Sequence, residues 1–254
     1  MITLNSKTKA YLYDGSFDGL LTCIYDAFYL KENPIEIISE HAFVPDLIKE
    51  TFYIETRQAD AEKVYNATRE KISNDAAELI YYVYLSDLPG SGILILKYLR
   101  IGFKMGSNTN LNLQNEIVLK MFRIRNKVAL EAHRILGFIR FKKISKEIYY
   151  APFEPDHNII ALISDHFSNR LSDQNWIIHD LKREIAVFYN RNEWVISPFS
   201  KKQGAALFSY NEESKYEKLW RTYFSATAIT ERKNINLQRN HMPKRYWKHL
   251  TEIE

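Results

Sequence analysis

A single cysteine, Cys23, in 254 residues excludes an internal disulfide and fits a reducing cytoplasm. The same scarcity excludes an iron–sulfur cluster held by three or four thiolates of this chain, and a structural zinc site of several Cys and His. His133, His157, His166, His241 and His249 show no metalloprotease spacing, so neither a metal nor another cofactor is implied. Eight Gly and seven Pro are few breakers for this length, and most of the chain is expected in regular elements. No stretch approaches the ~20 apolar residues of a membrane span; the oiliest run, Ile93 to Leu96, is soon broken by Lys97 and Arg100. Met1 to Ala10 is polar and lacks the apolar core of a signal peptide. Repeats and low-complexity tracts are also missing. These absences describe a cytoplasmic protein with no membrane partner.

What is present in quantity is aromatic and apolar. There are 17 Tyr, 14 Phe and 4 Trp, and 46% of residues are hydrophobic, ample for one large core or two modest ones. Net charge is only +4, but it is unevenly distributed. Residues 1–96 hold 8 Lys/Arg and 15 Asp/Glu, a net −7; residues 97–150 hold 12 and 3, a net +9. Residues 151–200 are at −3 and residues 201–254 at +5. Two basic blocks alternating with two acidic ones indicate either a polyanionic partner or blocks that neutralise each other on folding.

Periodicity predicts a strand at Tyr11–Tyr13, a turn at Asp14-Gly15-Ser16 with Ser16 as N-cap, and a helix from about Phe17 to Leu30. Ile35–Ile38 and Thr51–Ile54 read as strands. Helical patterns follow at Ala59–Ile72, Asp75–Leu85 and Ile93–Met105, with Pro89-Gly90 and Gly106-Ser107-Asn108 as interruptions. The clearest helix buries Ile117, Met121, Ile124, Val128, Ala132 and Ile135, spaced three and four apart. After Gly137 the period changes to two, predicting a hairpin of Phe138–Ile144 with Glu147–Pro152. A helix at Asn158–Leu171 and strands at Trp176–His179, Glu184–Tyr189 and Trp194–Ile196 follow, with helical patterns again at Glu213–Phe224 and near the C-terminus. The fold class is therefore α+β: a mainly antiparallel sheet with helices packed on it, plus a smaller N-terminal α/β-type region. The expected division is an N-terminal strand–helix region, 1–86, and a helical and antiparallel-sheet region with a basic C-terminal segment, 87–254.

Three stretches carry a resemblance. They are Tyr13-Asp14-Gly15-Ser16-Phe17-Asp18-Gly19, Trp176-Ile177-Ile178-His179-Asp180 with Arg183, and Ala228-Ile229-Thr230-Glu231-Arg232-Lys233-Asn234 leading through Leu237-Gln238 to Met242-Pro243-Lys244-Arg245-Tyr246-Trp247. Together they resemble a bacterial family of unknown function linked with DNA metabolism and repair. Its members accompany a radical-SAM protein and are in some cases fused to a uracil-DNA-glycosylase-like domain. The resemblance implies DNA and a radical-SAM protein as partners and supplies no catalytic residues. With the chain ending at Glu254, the glycosylase-like domain is not expected here, and any iron–sulfur chemistry is expected in the partner.

The strongest candidate interface is the C-terminal segment. From Arg221 to Leu250 it holds seven Lys/Arg and one acidic residue. Arg232, Arg239, Lys244, Arg245 and Lys248 would neutralise phosphates, Asn234 and Gln238 would reach base edges, and Trp247 would stack on an unpaired base. Alternatively this is a solvated basic helix whose Tyr246, Trp247 and Leu250 dock on the core. Lys120, Arg123, Lys127 and Arg134 recur at steps of three, four and seven, which places them within about 60° on one helix face. They form either a phosphate-tracking stripe or a solvated face. His179, Asp180 and Arg183 have the residue types of acid–base equipment, or Asp180 caps a turn, since neighbours in a strand face opposite ways. Asp14 and Asp18 could bind metal or activate water, or could stabilise a bend and a helix start. Cys23 reads as a core thiol.

Three functions follow: a nucleic-acid-associated accessory of a radical-SAM partner in DNA metabolism or repair, a DNA-lesion-processing enzyme, or a protein interaction module without DNA binding.

Overall fold

The computed structural model describes residues 9–45, 50–145, 147–208, 215–227 and 234–250. The fold is α+β, with two separate sheets, and the chain divides into two compact units, Met1–Ala129 and Leu130–Glu254.

The first unit is built on three parallel strands in the order β2-β1-β3: β1 (Lys9–Tyr13) lies between β2 (Glu36–Ser39) and β3 (Glu50–Tyr53). Parallel neighbours need a crossover, and helix α1 (Phe17–Tyr29) supplies the one from β1 to β2. Ser16 caps α1, its hydroxyl accepting from Gly19 N–H at 2.9 Å, as the sequence predicts. The turn before it places Gly15 at φ +89°, a left-handed conformation that glycine adopts without strain. Leu20, Leu21, Ile24 and Ala27 give α1 its buried face. Helices α2 (Gln58–Lys71), α3 (Asn74–Leu85) and α4 (Ser91–Met105) complete the layer. Arg57 joins Asp26 of α1 to Asp60 of α2.

Helix α5 (Glu116–Phe138) runs across the boundary of the two units. Its buried residues include Val118, Met121, Ile124, Val128 and Ile135, close to the predicted apolar face. The helix continues one residue past Gly137, shortening the predicted hairpin. Only Lys142–Lys143 (β4) pairs with β5 (Ile148–Phe153), through Tyr150 and Tyr149.

In the second unit the sheet order is β4-β5-β6-β7-β8, with β6 at Asn175–Asp180, β7 at Ile185–Tyr189 and β8 at Trp194–Pro198. All pairings are antiparallel except β5–β6, which is parallel and crossed by α6 (Ile160–Arg170). Pro152 lies in β5 beyond the reach of β4, where the strand is locally an edge and a missing N–H breaks no ladder. Fully buried Trp176 stacks on Tyr189 at 5.0 Å and meets Phe141 and Phe167 edge-on. Helices α7 (Lys201–Phe208), α8 (Lys215–Thr227) and α9 (Ile235–His241) follow, then a 3₁₀ turn at Lys244–His249. Glu213, the predicted start of α8, lies outside the described residues.

Periodicity does not predict helix α7, although its start is signalled. Ser200 Oγ accepts from Gln203 N–H, and Gln203 Oε1 accepts from Ser200 N–H at 2.8 Å. This is a reciprocal capping box.

Candidate functional site

The carboxylate candidates of the first unit serve the backbone. Asp14 accepts hydrogen bonds from Ser16 N–H (2.9 Å), Ser16 Oγ (2.7 Å) and Thr56 Oγ1 (2.8 Å). Burial alone would raise its pKa, but these donors outweigh it and hold the carboxyl below its ordinary range. Asp18 sits in the first turn of α1, at a cleft of about 710 Å³ that Phe17, Tyr65 and Tyr81 also line.

In the second unit His179 and Asp180 are both fully buried and belong to different networks. Asp180 accepts from Lys182 N–H, Arg183 N–H and Arg183 Nη1, and Arg183 also donates to the Asp156 carbonyl at 2.8 Å. The pair braces the β6–β7 turn, with burial drawing the Asp180 pKa upward against Arg183. His179 Nδ1 lies 2.7 Å from the Tyr150 hydroxyl, its Nε2 has no hydrogen-bond partner, and its ring meets Phe199 edge-on at 4.8 Å. Burial lowers the His179 pKa, opposed by the Phe199 backbone; burial also raises the Tyr150 pKa. A neutral imidazole accepting the Tyr150 O–H at Nδ1 satisfies the hydroxyl and carries its own proton on Nε2.

The C-terminal segment is latched to the second unit by Glu131, which is 6% exposed. Its carboxylate accepts from Asp156 and His157 N–H, both at 2.9 Å, and from the Tyr246 hydroxyl. Arg245 reaches Glu131 at 3.4 Å and Asp156 at 2.7 Å, and lies over the Tyr246 ring. Tyr246 and Leu250 are buried, and half-buried Trp247 donates to the Met242 carbonyl at 2.8 Å. Asn234 caps α9 by accepting from Leu237 N–H. Gln238 is half-buried, whereas Arg239 and Lys244 are exposed, with Lys244 over the Trp247 ring. Lys120, Arg123 and Lys127 lie exposed on the first-unit part of α5, and half-buried Arg134 belongs to the second unit. Arg232 lies outside the described residues.

The second unit does assemble positive charge from distant stretches, mostly with side chains that sequence patterning does not single out. A cleft of about 570 Å³ is lined by Arg140 and Lys142 from the first basic block, and by Lys201, Arg221 and Lys248 from the last. Of the described sequence candidates, Lys248 alone lines it. Tyr150, Pro152, Gly204, Leu181, Ala205 and Leu250 supply the uncharged lining. Among the described residues Glu154 is the one carboxylate in the lining, bonded to Lys248 at 2.6 Å. His249 also lines the cleft; its Nε2 is buried, has no hydrogen-bond partner, and lies 3.8 Å from Glu154. Burial, and then Lys248, push its pKa below the ordinary value, opposed by Glu154. Gly204 makes close packing possible behind the cleft: a Cβ there would sit 2.5 Å from the Tyr150 hydroxyl and 2.7 Å from His179 Nδ1.

Such a cleft attracts anions by summed charge, and its low-dielectric walls focus that field. Among the described residues no group of three His, Cys, Asp or Glu is placed to hold a metal ion, and no helix is long and apolar enough to cross a membrane. The model of a family known as a domain of unknown function, DUF4130, matches residues 89–252, a span that includes the whole cleft. The chain belongs to that family. No curated protein matches it.

Proposed function

We propose that this DUF4130 protein is a nucleic-acid-associated accessory of DNA metabolism or repair, binding DNA through the basic cleft of its second unit and working beside a radical-SAM partner in the cytoplasm. The observation that carries the DNA reading is the convergence of Arg140, Lys142, Lys201, Arg221 and Lys248 on one cleft. Phosphates are the natural counter-charge for such a lining, and neutralising them releases condensed counterions. The resemblance of the C-terminal motif supplies the link to DNA metabolism and to the radical-SAM protein. Arg245 and Tyr246 of that motif hold the segment in place, which leaves phosphate contact to side chains around them.

The test is fluorescence anisotropy of the full chain with duplex and single-stranded DNA over a salt series. Binding that weakens with salt is expected, with a log–log slope of about 0.9 per duplex phosphate contacted. Replacing Lys142, Lys201 and Arg221 by Glu is expected to flatten that slope. A folded triple variant with unchanged affinity and slope would sink the reading. Co-purification with the radical-SAM protein, with and without DNA, tests the partner separately.

The enzyme reading has one observation in its favour, the Tyr150–His179 hydrogen bond behind the cleft. Turnover of a damaged oligonucleotide by the pure protein, lost in His179→Gln with DNA binding retained, would establish it.

A further inference from the structure

Helices α1, α2 and α3 of the first unit line a cleft of about 710 Å³, a volume within the range of small-molecule sites, roughly 300–1,000 Å³. Helix spacing explains its lining. Ala61, Tyr65 and Arg69 of α2, and Ala77 and Tyr81 of α3, recur at four-residue steps along one side of each helix. Ala61 and Ala77 are buried, and short side chains at these positions leave space that longer ones would fill. The first turn of α1 adds Phe17 and Asp18. Phe17 meets Tyr81 at 5.2 Å and Tyr65 at 6.4 Å, both edge to face, so each contact covers a face of one ring only. Ring faces carry negative potential and attract cations. The chain already places one there: the Arg69 guanidinium lies over the Tyr65 ring at 5.9 Å, its Nε donating to Asn74 Oδ1 at 3.0 Å. Of the carboxylates in the lining, Glu78 pairs with Arg125 at 3.1 Å and Glu62 accepts from Gln58 at 3.2 Å. The Asp18 carboxylate makes no hydrogen bond or ion pair among the described residues.

We infer that this cleft is a binding site for an organic cation, an amine or quaternary ammonium compound with an apolar body. Asp18 and the aromatic faces hold its charge, and Leu21, Ala61 and Ala77 receive its body. The site is independent of the DNA reading, because none of its lining residues belongs to the basic cleft.

The experiment titrates the full chain with three probes that share one aromatic body and differ in charge: 2-phenylethylamine, 2-phenylethanol and phenylacetate. Binding is followed at neutral pH by protein NMR, which also locates it. The amine is expected to bind about tenfold tighter than the alcohol and the carboxylate more weakly than either, with shifts confined to α1, α2 and α3. Asp18→Asn should bring the amine down to the affinity of the alcohol and leave the alcohol unchanged, an outcome that a folding defect would not give. Tyr65→Leu, at an exposed ring, should weaken the amine more than the alcohol. Arg69→Gln, which removes the resident cation, should tighten the amine. Equal binding of amine and alcohol would overturn the cation site, as would tightest binding of phenylacetate. Shifts outside the three helices, amine affinity indifferent to Asp18→Asn, or no binding of the amine at millimolar concentration would overturn it too. None of these results bears on DNA binding by the second unit.

Discussion

Each unit has a substantial cleft, and the two differ in chemistry more than in size. The cleft of the first unit is the larger, about 710 Å³ against 570 Å³. It is aromatic and acidic: Phe17 packs against Tyr65, Tyr81 and Tyr84, while Asp18, Glu62 and Glu78 outnumber Arg69 in the lining. The smaller cleft inverts that balance. Volume would choose the first as a nucleic-acid site and charge chooses the second. For a polyanion charge decides, because like-charge juxtaposition costs several kcal/mol and slows encounter. The same contrast marks the residues that hold each region together. Asp14 and Asp18 serve one turn and one helix start, whereas Glu131 ties residues more than a hundred positions apart.

Removal of that tie is the largest expected effect. Glu131→Ala leaves the Tyr246 hydroxyl and two backbone N–H groups without their acceptor. At about 1–3 kcal/mol for each group left buried and unsatisfied, a loss of about 3 kcal/mol or more is expected in urea unfolding. DNA affinity should fall as well, since the latched segment carries Lys248 and His249 into the cleft. Asp14→Ala, its counterpart in the first unit, is expected to cost about 1 kcal/mol, like loss of a helix cap, with DNA affinity unchanged. Equal losses of stability from the two changes would break the contrast between them.

Charge reversal comes next. Lys142→Glu/Lys201→Glu/Arg221→Glu is expected to weaken DNA binding about a hundredfold at moderate salt, because phosphates that met cations would meet carboxylates instead and release fewer counterions. Glu62→Lys/Glu78→Lys, which reverses the lining of the other cleft, is expected to leave binding at least as tight. Anisotropy titrations of the two variants in one buffer decide the matter. If the first-unit variant lost affinity and the second-unit variant did not, the assignment of clefts would be reversed.

The sequence makes elements with strong periods legible. The apolar repeat of α5, the Ser16 cap of α1 and the strand–helix–strand order from β5 to β8 all appear where local spacing places them. The parallel β5–β6 pairing is a longer-range matter, set by α6 as a crossover. Helix α7 escapes periodicity because its eight residues are too short for a clear apolar repeat, and its signal is a Ser200–Gln203 capping box. Cations from two distant stretches of the sequence line one cleft, but Arg140, Lys142, Lys201 and Arg221 share no spacing that marks them as one site. Conversely, Arg245 looks like a phosphate ligand in the sequence and is engaged with Glu131 and Asp156 in the fold. Side-chain partners of that kind depend on which carboxylates the tertiary structure brings near.

Gly204→Ala probes packing behind the basic cleft and should have a smaller effect than Glu131→Ala. Its new Cβ meets the Tyr150 hydroxyl and the His179 ring, both buried, so α7 must shift. Overpacking of that kind costs about 1–3 kcal/mol. The shift would move Lys201, at the start of α7, away from the cleft. Gly137→Ala, where a Cβ meets nothing within 4 Å, is the control, and thermal melts of both proteins are the measurement. Equal melting temperatures would mean that the packing behind the cleft relaxes freely.

The smallest expected effect is a pH dependence confined to the second unit. His179 and His249 are buried there with pKa values held below the ordinary 6.5, while His41 of the first unit is exposed. For a histidine lowered on folding, the unfolded chain binds more protons. Stability is therefore complete above about pH 6.5 and declines as pH falls through that value toward the lowered folded one. The decline should appear in hydrogen-exchange protection of β5, β6 and the 3₁₀ turn at Lys244–His249, while α1 and α2 stay protected over the same range. His179→Gln and His249→Gln should each remove part of it. Glu131 acts later in the same titration. Although burial would raise its pKa, the Tyr246 hydroxyl and two backbone N–H groups hold it below 4.5. Its contribution is thus present above about pH 4.5 and disappears only as pH falls through the depressed value. A second unit that loosened only below pH 4.5, with no change between pH 7 and 5, would assign the pH response to Glu131 alone.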